Sequence, residues 1–210
     1  MYTLREIYFT LQGEGFHTGR PAVFARFAGC NLWTGRESDR ASAICRFCDT
    51  EFVGVGPDGG KFASAEAFAD AVATRWPGST AGGERFVVCT GGEPLLQLDG
   101  AAVDALHARG FTVAVETNGT QQPPRGLDWI TVSPKAGAKL ILTRGDELKL
   151  VYPQDRAEPS LFAQMDFAHF FLQPMDGPDR APNTTAATAY CLANPRWRLS
   201  LQTHKLLGIR

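Results

Sequence analysis

The chain has 210 residues, 44% of them hydrophobic, enough to bury roughly 70% of the surface its unfolded form exposes. Its 21 basic residues against 22 acidic ones leave no basic excess for nucleic acid or an acidic membrane. No apolar stretch approaches the ~20 residues that span a bilayer, and no basic-then-apolar leader opens the chain, so the expected location is cytoplasmic.

Arg5–Thr10 reads as a first strand, broken at Leu11-Gln12-Gly13-Glu14-Gly15, where glycines permit close backbone approach. Residues 21–29 read as a second strand, apolar on both faces except for Arg26, and deliver Cys30 at its end. Gly54–Gly60 is turn-rich. Ser64 caps a helix expected over Ala65–Trp76, with Phe68, Val72 and Trp76 on one face and Pro77-Gly78 as its stop. Arg85–Cys89 is a buried strand ended by Thr90-Gly91-Gly92-Glu93-Pro94. Asp99 caps a helix running to Arg109, stopped by Gly110. Strands follow at Phe111–Val115, Trp129–Val132 and Glu147–Tyr152. Glu158–Met165 reads as helical, Phe167–Leu172 as a strand, Asn183–Ala193 as a helix capped by Asn183, and Arg196–Leu201 as the last strand. This alternation predicts an α/β fold with mostly parallel strands. A closed eight-fold barrel takes about 250 residues, so an incomplete βα barrel is expected. Polar signatures then follow strand after strand, at Cys30, Thr90, Glu116, Ser133 and Gln173, and converge on one mouth.

Five cysteines are an odd count, and three of them cluster: Cys30, then Cys45 after fourteen residues, then Cys48 after two more. In a reducing compartment this reads as metal or redox chemistry rather than a disulfide framework. Thiolates select zinc, copper(I) or iron–sulfur clusters. A closed zinc site needs a fourth ligand, and His17, His107, His169 and His204 all lie far off in sequence. Three thiolates on a cubane would leave one iron open for a chelating ligand. Cys89 and Cys191 are isolated in apolar segments and read as core residues.

Cys45-Arg46-Phe47-Cys48, with Thr90-Gly91-Gly92-Glu93-Pro94 after a strand, resembles the radical S-adenosylmethionine superfamily. The wide first spacing departs from that superfamily's usual three residues. Together with Cys48-Asp49-Thr50, Glu116-Thr117-Asn118-Gly119, Ser133-Pro134-Lys135 and Gln173-Pro174-Met175-Asp176, it resembles the 7-carboxy-7-deazaguanine synthase family, some of whose members expand the cluster loop. The resemblance runs from Leu11 to Lys205 and implies one radical S-adenosylmethionine domain over residues 1–210, with an expanded cluster-binding loop at 30–48.

The resemblance implies a 4Fe–4S cluster on Cys30, Cys45 and Cys48, with S-adenosylmethionine on its open iron. Phe47, Cys48, Asp49, Gly92, Glu93, Ser133, Pro134, Lys135, Gln173, Pro174, Met175 and Asp176 would bind that cofactor. Thr50 would help hold Mg²⁺, an ion that otherwise takes carboxylate, water and substrate oxygens. Leu11, Gln12, Gly13, Arg26 and Thr90 would contact a carboxylated pterin, with Glu116, His204 and the terminal carboxylate of Arg210 as further contacts. Arg26 is the lone charge in an apolar strand; a substrate carboxylate or an internal glutamate such as Glu14 would satisfy it.

The implied reaction is radical conversion of 6-carboxy-5,6,7,8-tetrahydropterin to 7-carboxy-7-deazaguanine with loss of ammonia, a carbon–nitrogen lyase step of deazapurine and queuosine biosynthesis. A flavodoxin or ferredoxin donor and a homodimer are the family expectation. Two other readings are an activase for a glycyl-radical enzyme and a zinc-binding adaptor. Thr34–Ala43, inside the wide spacing, is expected to form structured loop that shields the cluster or docks the electron donor.

Overall fold

The computed structural model describes residues 1–78 and 83–210. Among the described residues, nine strands form one sheet in the order β3-β1-β2-β4-β5-β6-β7-β8-β9. They are β1 (Tyr2–Leu11), β2 (Pro21–Phe27), β3 (Gly60–Phe62), β4 (Arg85–Gly91), β5 (Phe111–Thr117), β6 (Trp129–Val132), β7 (Arg144–Tyr152), β8 (Asp166–Pro174) and β9 (Trp197–Leu199). From β2 through β9 every neighbouring pair is parallel, while β1 pairs antiparallel with both β2 and β3. The expected mostly parallel, unclosed α/β sheet is thus what forms. Its edges are β3 and β9, of three residues each.

Among the described residues, four α-helices accompany it: α1 (Ala65–Ala73), α2 (Gly100–His107), α3 (Arg180–Ala193) and α4 (Thr203–Leu207). The Ser64 hydroxyl accepts from the Ala67 N–H, and the Asp99 carboxylate accepts from the Ala102 N–H and the Tyr2 hydroxyl. Both caps satisfy otherwise orphaned amides. The main core lies between the helices and one face of the sheet, where Phe68 and Val72 of α1 meet Val103 and Leu106 of α2. Phe68 is fully buried against the rings of Tyr2, Phe27 and Phe62.

Several expected boundaries move. Helix α1 stops at Ala73, because the residue before Pro77 is biased away from helical geometry. Trp76 instead packs edge-on against Phe9 and Phe111. Glu158–Met165 is not a helix; only Pro159–Leu161 makes a 3-10 turn before β8 draws the chain away at Asp166. Helix α3 begins three residues before Asn183, whose amide lies within the helix and donates to the Met175 carbonyl. The last strand is short, and α4 was not anticipated: Leu206 and Leu207 are exposed, so it carries no buried stripe to read.

The loop after β1 rolls the sheet. Although β1 and β9 stand far apart in the strand order, the Gly13 carbonyl accepts from Thr203 N–H and the Gly15 N–H donates to Ser200. The sheet's concave face is thereby enclosed by a strap, Gln12–Phe16, rather than by further strands. Phe68→Ala should cost about 3–5 kcal/mol in urea unfolding, because it removes a ring on which three others pack.

Candidate functional site

A cavity of about 430 Å³ opens at the C-terminal ends of the parallel strands. Each strand delivers a polar group there: Cys30 after β2, Thr90 on β4, Glu116 on β5, Ser133 after β6, Lys149 on β7 and Gln173 on β8. The parallel arrangement makes this convergence automatic.

Cys30, Cys45 and Cys48 all line one wall of the cavity, with Phe47 between the last two. Cys45 is buried and the other two are partly exposed. Cys45 and Cys48 act on each other: Cys48 is held below the ordinary thiol pKa by its neighbour, and Cys45 is raised above it by Cys48 and by burial. Among the described residues, no three His, Cys, Asp or Glu side chains gather around a single ion-sized point. A cubane makes a different demand, one thiolate for each of three irons. The intervening loop is structured: Glu37–Ser42 form a 3-10 turn, and the Ile44 and Cys45 N–H groups return to the Leu32 carbonyl.

Gly92 lies beside this wall. A Cβ there would overlap the Gly29 carbonyl and crowd Cys30, so only glycine allows the loop after β4 to touch the start of the cluster loop. Glu93 is placed differently from the sequence expectation. It does not line the cavity; it is fully buried. Its carboxylate accepts from Leu95 N–H at 3.0 Å, Thr117 hydroxyl at 2.7 Å and Asn118 N–H at 2.8 Å. Burial raises its pKa despite these donors. It is a buckle between β4 and β5, because a buried carboxylate turns to whatever donors surround it. Pro134 is likewise buried off the cavity, its carbonyl accepting from Gln154. Ser133 and Lys135 do line it, and Lys135 donates to both the hydroxyl and carbonyl of Ser133. Burial lowers the Lys135 pKa, while the cysteines oppose that shift.

The floor carries charge. Lys149 pairs with Glu14 at 2.5 Å and with Glu116 at 3.4 Å, and Gln12 donates to Glu116 at 2.9 Å. Burial works against ionising Glu14, yet Lys149 outweighs it and holds this carboxyl at about 2. Burial also opposes the Lys149 ammonium, but Glu116 and Glu14 outweigh it and keep it protonated. Glu147 lies deeper, accepting from Phe16 N–H at 3.1 Å, and burial raises its pKa to about 7. His204, from α4, sits against Gly13, where a Cβ would collide with its ring. Burial lowers the His204 pKa.

Arg26 lines the cavity but has an internal partner, and it is Glu6 rather than Glu14. The register places Glu6 directly opposite Arg26, giving a 2.7 Å bond, and a second goes to the Tyr8 hydroxyl at 3.0 Å. At the rim, Lys205 bridges Asp49 at 2.5 Å and Asp176 at 2.6 Å, joining α4 to the cluster loop and the end of β8. Arg210 folds over the same rim, pairing with Glu6 and Asp58 while its main-chain oxygen accepts from Thr10. Thr50, Leu11, Gly13, Pro174 and Met175 complete the lining among the expected residues.

Lys149, Glu14, Glu6, Tyr8 and Lys205 also line the site and were not expected there. A signal existed for some. Glu6, Tyr8 and Thr10 alternate along β1, and Glu147 and Lys149 along β7, putting polar groups on the face opposite the core.

The residues fit an iron–sulfur cubane with a small organic cofactor. Three thiols face one cavity wall, a glycine joint leaves no side chain between the two cofactor loops, and the space beyond suits a ligand-sized molecule. An open βα barrel with such a mouth defines the class of radical S-adenosylmethionine enzymes. No family model matches the chain. A 7-carboxy-7-deazaguanine synthase of Caulobacter vibrioides is 63% identical over 99% of both chains. That of Bordetella pertussis is 64% identical over 99% of both, and that of Bacteroides thetaiotaomicron 44% identical over 100% of both. The crystal structure of QueE from Escherichia coli matches with a TM-score of 0.72 at 28% identity, covering 95% of this chain and 93% of that one. The chain belongs to the 7-carboxy-7-deazaguanine synthase family.

Glu147 yields a pH prediction. Its folded pKa, about 7, lies above the ordinary 4.5, so its contribution to stability is fully present below pH 4.5 and is lost as pH rises through 7. Glu147→Gln should therefore be more stable than the parent at pH 8 by about 3 kcal/mol, a gap that narrows toward pH 5 in paired urea titrations.

Proposed function

We propose that this chain converts 6-carboxy-5,6,7,8-tetrahydropterin to 7-carboxy-7-deazaguanine with loss of ammonia, as one catalytic domain over residues 1–210 with its cluster loop at 30–48. The observation that carries this reading is the shared cavity, with three thiols on one wall and the Gln12, Glu116 and Lys149 floor facing them. Membership in the synthase family supplies the reaction.

The cluster and S-adenosylmethionine, when bound, supply one-electron cleavage of a carbon–sulfur bond and so a hydrogen-abstracting radical. The chain's own residues bind, orient and exclude water. Cys30, Cys45 and Cys48 would hold three irons. Gly92, Ser133, Lys135 and the Gln173–Asp176 segment would hold the organic cofactor, with Phe47 and Asp49 beside it. Glu93 acts at one remove, fixing the Gly92 loop onto β5. Thr50 would contribute an oxygen to Mg²⁺, which would supply charge for an anionic substrate group.

A pterin edge alternates donors and acceptors, and Gln12, Glu116 and the backbone at Leu11–Gly13 offer the complement. His204 closes that end of the floor. Arg26 spends two donors on Glu6 and Tyr8 and keeps its remaining N–H groups for a substrate carboxylate. Thr90 and Arg210 would border the same group. Homodimer formation and a flavodoxin or ferredoxin donor accompany this reading.

The test is anaerobic reconstitution with iron and sulfide, followed by assay of the carboxylated pterin with S-adenosylmethionine, Mg²⁺ and reductant. The expected product is the deazapurine, and Cys45→Ala should lose both the cluster's visible absorbance and turnover. A Cys45→Ala protein that keeps four irons and turns over, or a parent that binds one zinc and no iron, overturns the reading.

A further inference from the structure

Among the fourteen residues between Cys30 and Cys45, Arg40 reaches back to the main chain that carries Cys45 and Cys48. Arg40 Nη1 donates to the Arg46 carbonyl at 2.8 Å and to the Cys48 carbonyl at 3.1 Å. Its Nε and Nη2 grip the two Glu37 oxygens at 2.7 and 2.5 Å. Its guanidinium lies 4.1 Å from the Trp33 ring centroid. Trp33 is itself buried, edge-on to Phe52, with its indole N–H donating to the Arg36 carbonyl. The 3-10 turn at Glu37–Ser42 sets this geometry, since it brings Glu37 and Arg40 together three residues apart.

We propose that Arg40 is a positioning residue for the cluster: through its hydrogen bonds to the Arg46 and Cys48 carbonyls it fixes the turn that presents Cys45 and Cys48. This rests on the reading of the three cysteines as cluster ligands. The turn's other holds, the Cys45 N–H on the Leu32 carbonyl, Arg46 Nε on the Ala43 carbonyl and the Lys205–Asp49 pair, leave the Arg46 and Cys48 carbonyls to Arg40. A planar guanidinium suits the task. It can bond two carbonyls, pair with a carboxylate and stack on an indole at once, which a lysine ammonium cannot do.

The same placement has an electrical effect. Cluster reduction adds a negative charge to a site already carrying three thiolates. A guanidinium bonded to the carbonyl of a ligand residue favours the reduced state, with the Glu37 carboxylate it grips offsetting part of its charge. Arg40 therefore does two things by one contact: it holds the ligands and raises the midpoint potential. Its guanidinium is committed to Glu37 and the two carbonyls, which favours a positioning role over a docking one. Arg36 is exposed and its guanidinium engages none of these groups.

The test uses reconstituted holoprotein without substrate, so it is separate from the proposed reaction. Cluster loss to excess iron chelator is followed by visible absorbance, and the midpoint potential by redox titration. Arg40→Ala should lose its cluster roughly 10-fold faster than the parent, with a lower midpoint potential. Arg40→Lys should fall between them, and Arg36→Ala should match the parent. Circular dichroism of the cluster-free variants controls for folding. If Arg40→Ala misfolds, Arg40→Lys carries the comparison. Parental chelation rate and midpoint potential in both Arg40 variants overturn the proposal, as does equally fast loss from Arg36→Ala. If the cluster properties stay parental and only the flavodoxin-supported rate falls, Arg40 docks the donor and the proposal is wrong. A parent that assembles no iron–sulfur cluster refutes the underlying reading instead.

Discussion

The backbone joint between the ends of β2 and β4 governs the site. Gly92 N–H donates to the Phe27 carbonyl and Glu93 N–H to the Gly29 carbonyl, so the parallel ladder continues past the strands into the loops. There is no room for a Cβ between them. The first cysteine and the glycine loop are thereby fixed to each other by main chain alone. Side chains then extend the joint sideways: Glu93 ties it to β5, and Asn118 and Thr120 bond Asn31. Cofactor chemistry needs geometry held within a fraction of an ångström, and hydrogen-bonded backbone is the stiffest means a chain has.

Charge is organised in the opposite manner, by side chains across long stretches of sequence. Glu14 and Lys149 come from the strap and from β7, and their pairing closes the open side of the barrel. Buried pairs of this kind cost desolvation and contribute little net stability, but losing one partner leaves an uncompensated charge. The floor is therefore polar and fixed before any ligand arrives. Three carboxylates share one ammonium, and at Glu147 burial outweighs the opposing Lys149 charge and raises the pKa to about 7.

What could be read from sequence follows from what is local. Cys45-x-x-Cys48, the Ser64 and Asp99 caps and the apolar runs of β4 and β5 depend on neighbours in the chain, and they appear where expected. Polar groups at strand ends were legible because parallel strands leave them no other place to go. The direction of Glu93 was not, since it is decided by donors on β5 some 24 residues away. Arg26 was legible as a charge needing a partner, but the partner depended on the β1–β2 register. The 158–165 segment carried helix-forming residues, and the early return into β8 prevailed over that propensity. The rim bridge by Lys205 was hidden for the same reason: it joins elements remote in sequence through a helix with no apolar pattern.

The unclosed sheet has a further effect, on how this chain meets copies of itself. A closed barrel exposes no strand edge, whereas here β3 and β9 each turn one side to solvent. Such edges invite pairing with another chain and, from there, aggregation. Both are only three residues long, in a sheet whose inner strands reach ten. β3 covers only Tyr2–Leu4 of β1, the loop at 56–58 extends that cover to Arg5 and Ile7, and each three-residue edge offers a second chain few backbone groups.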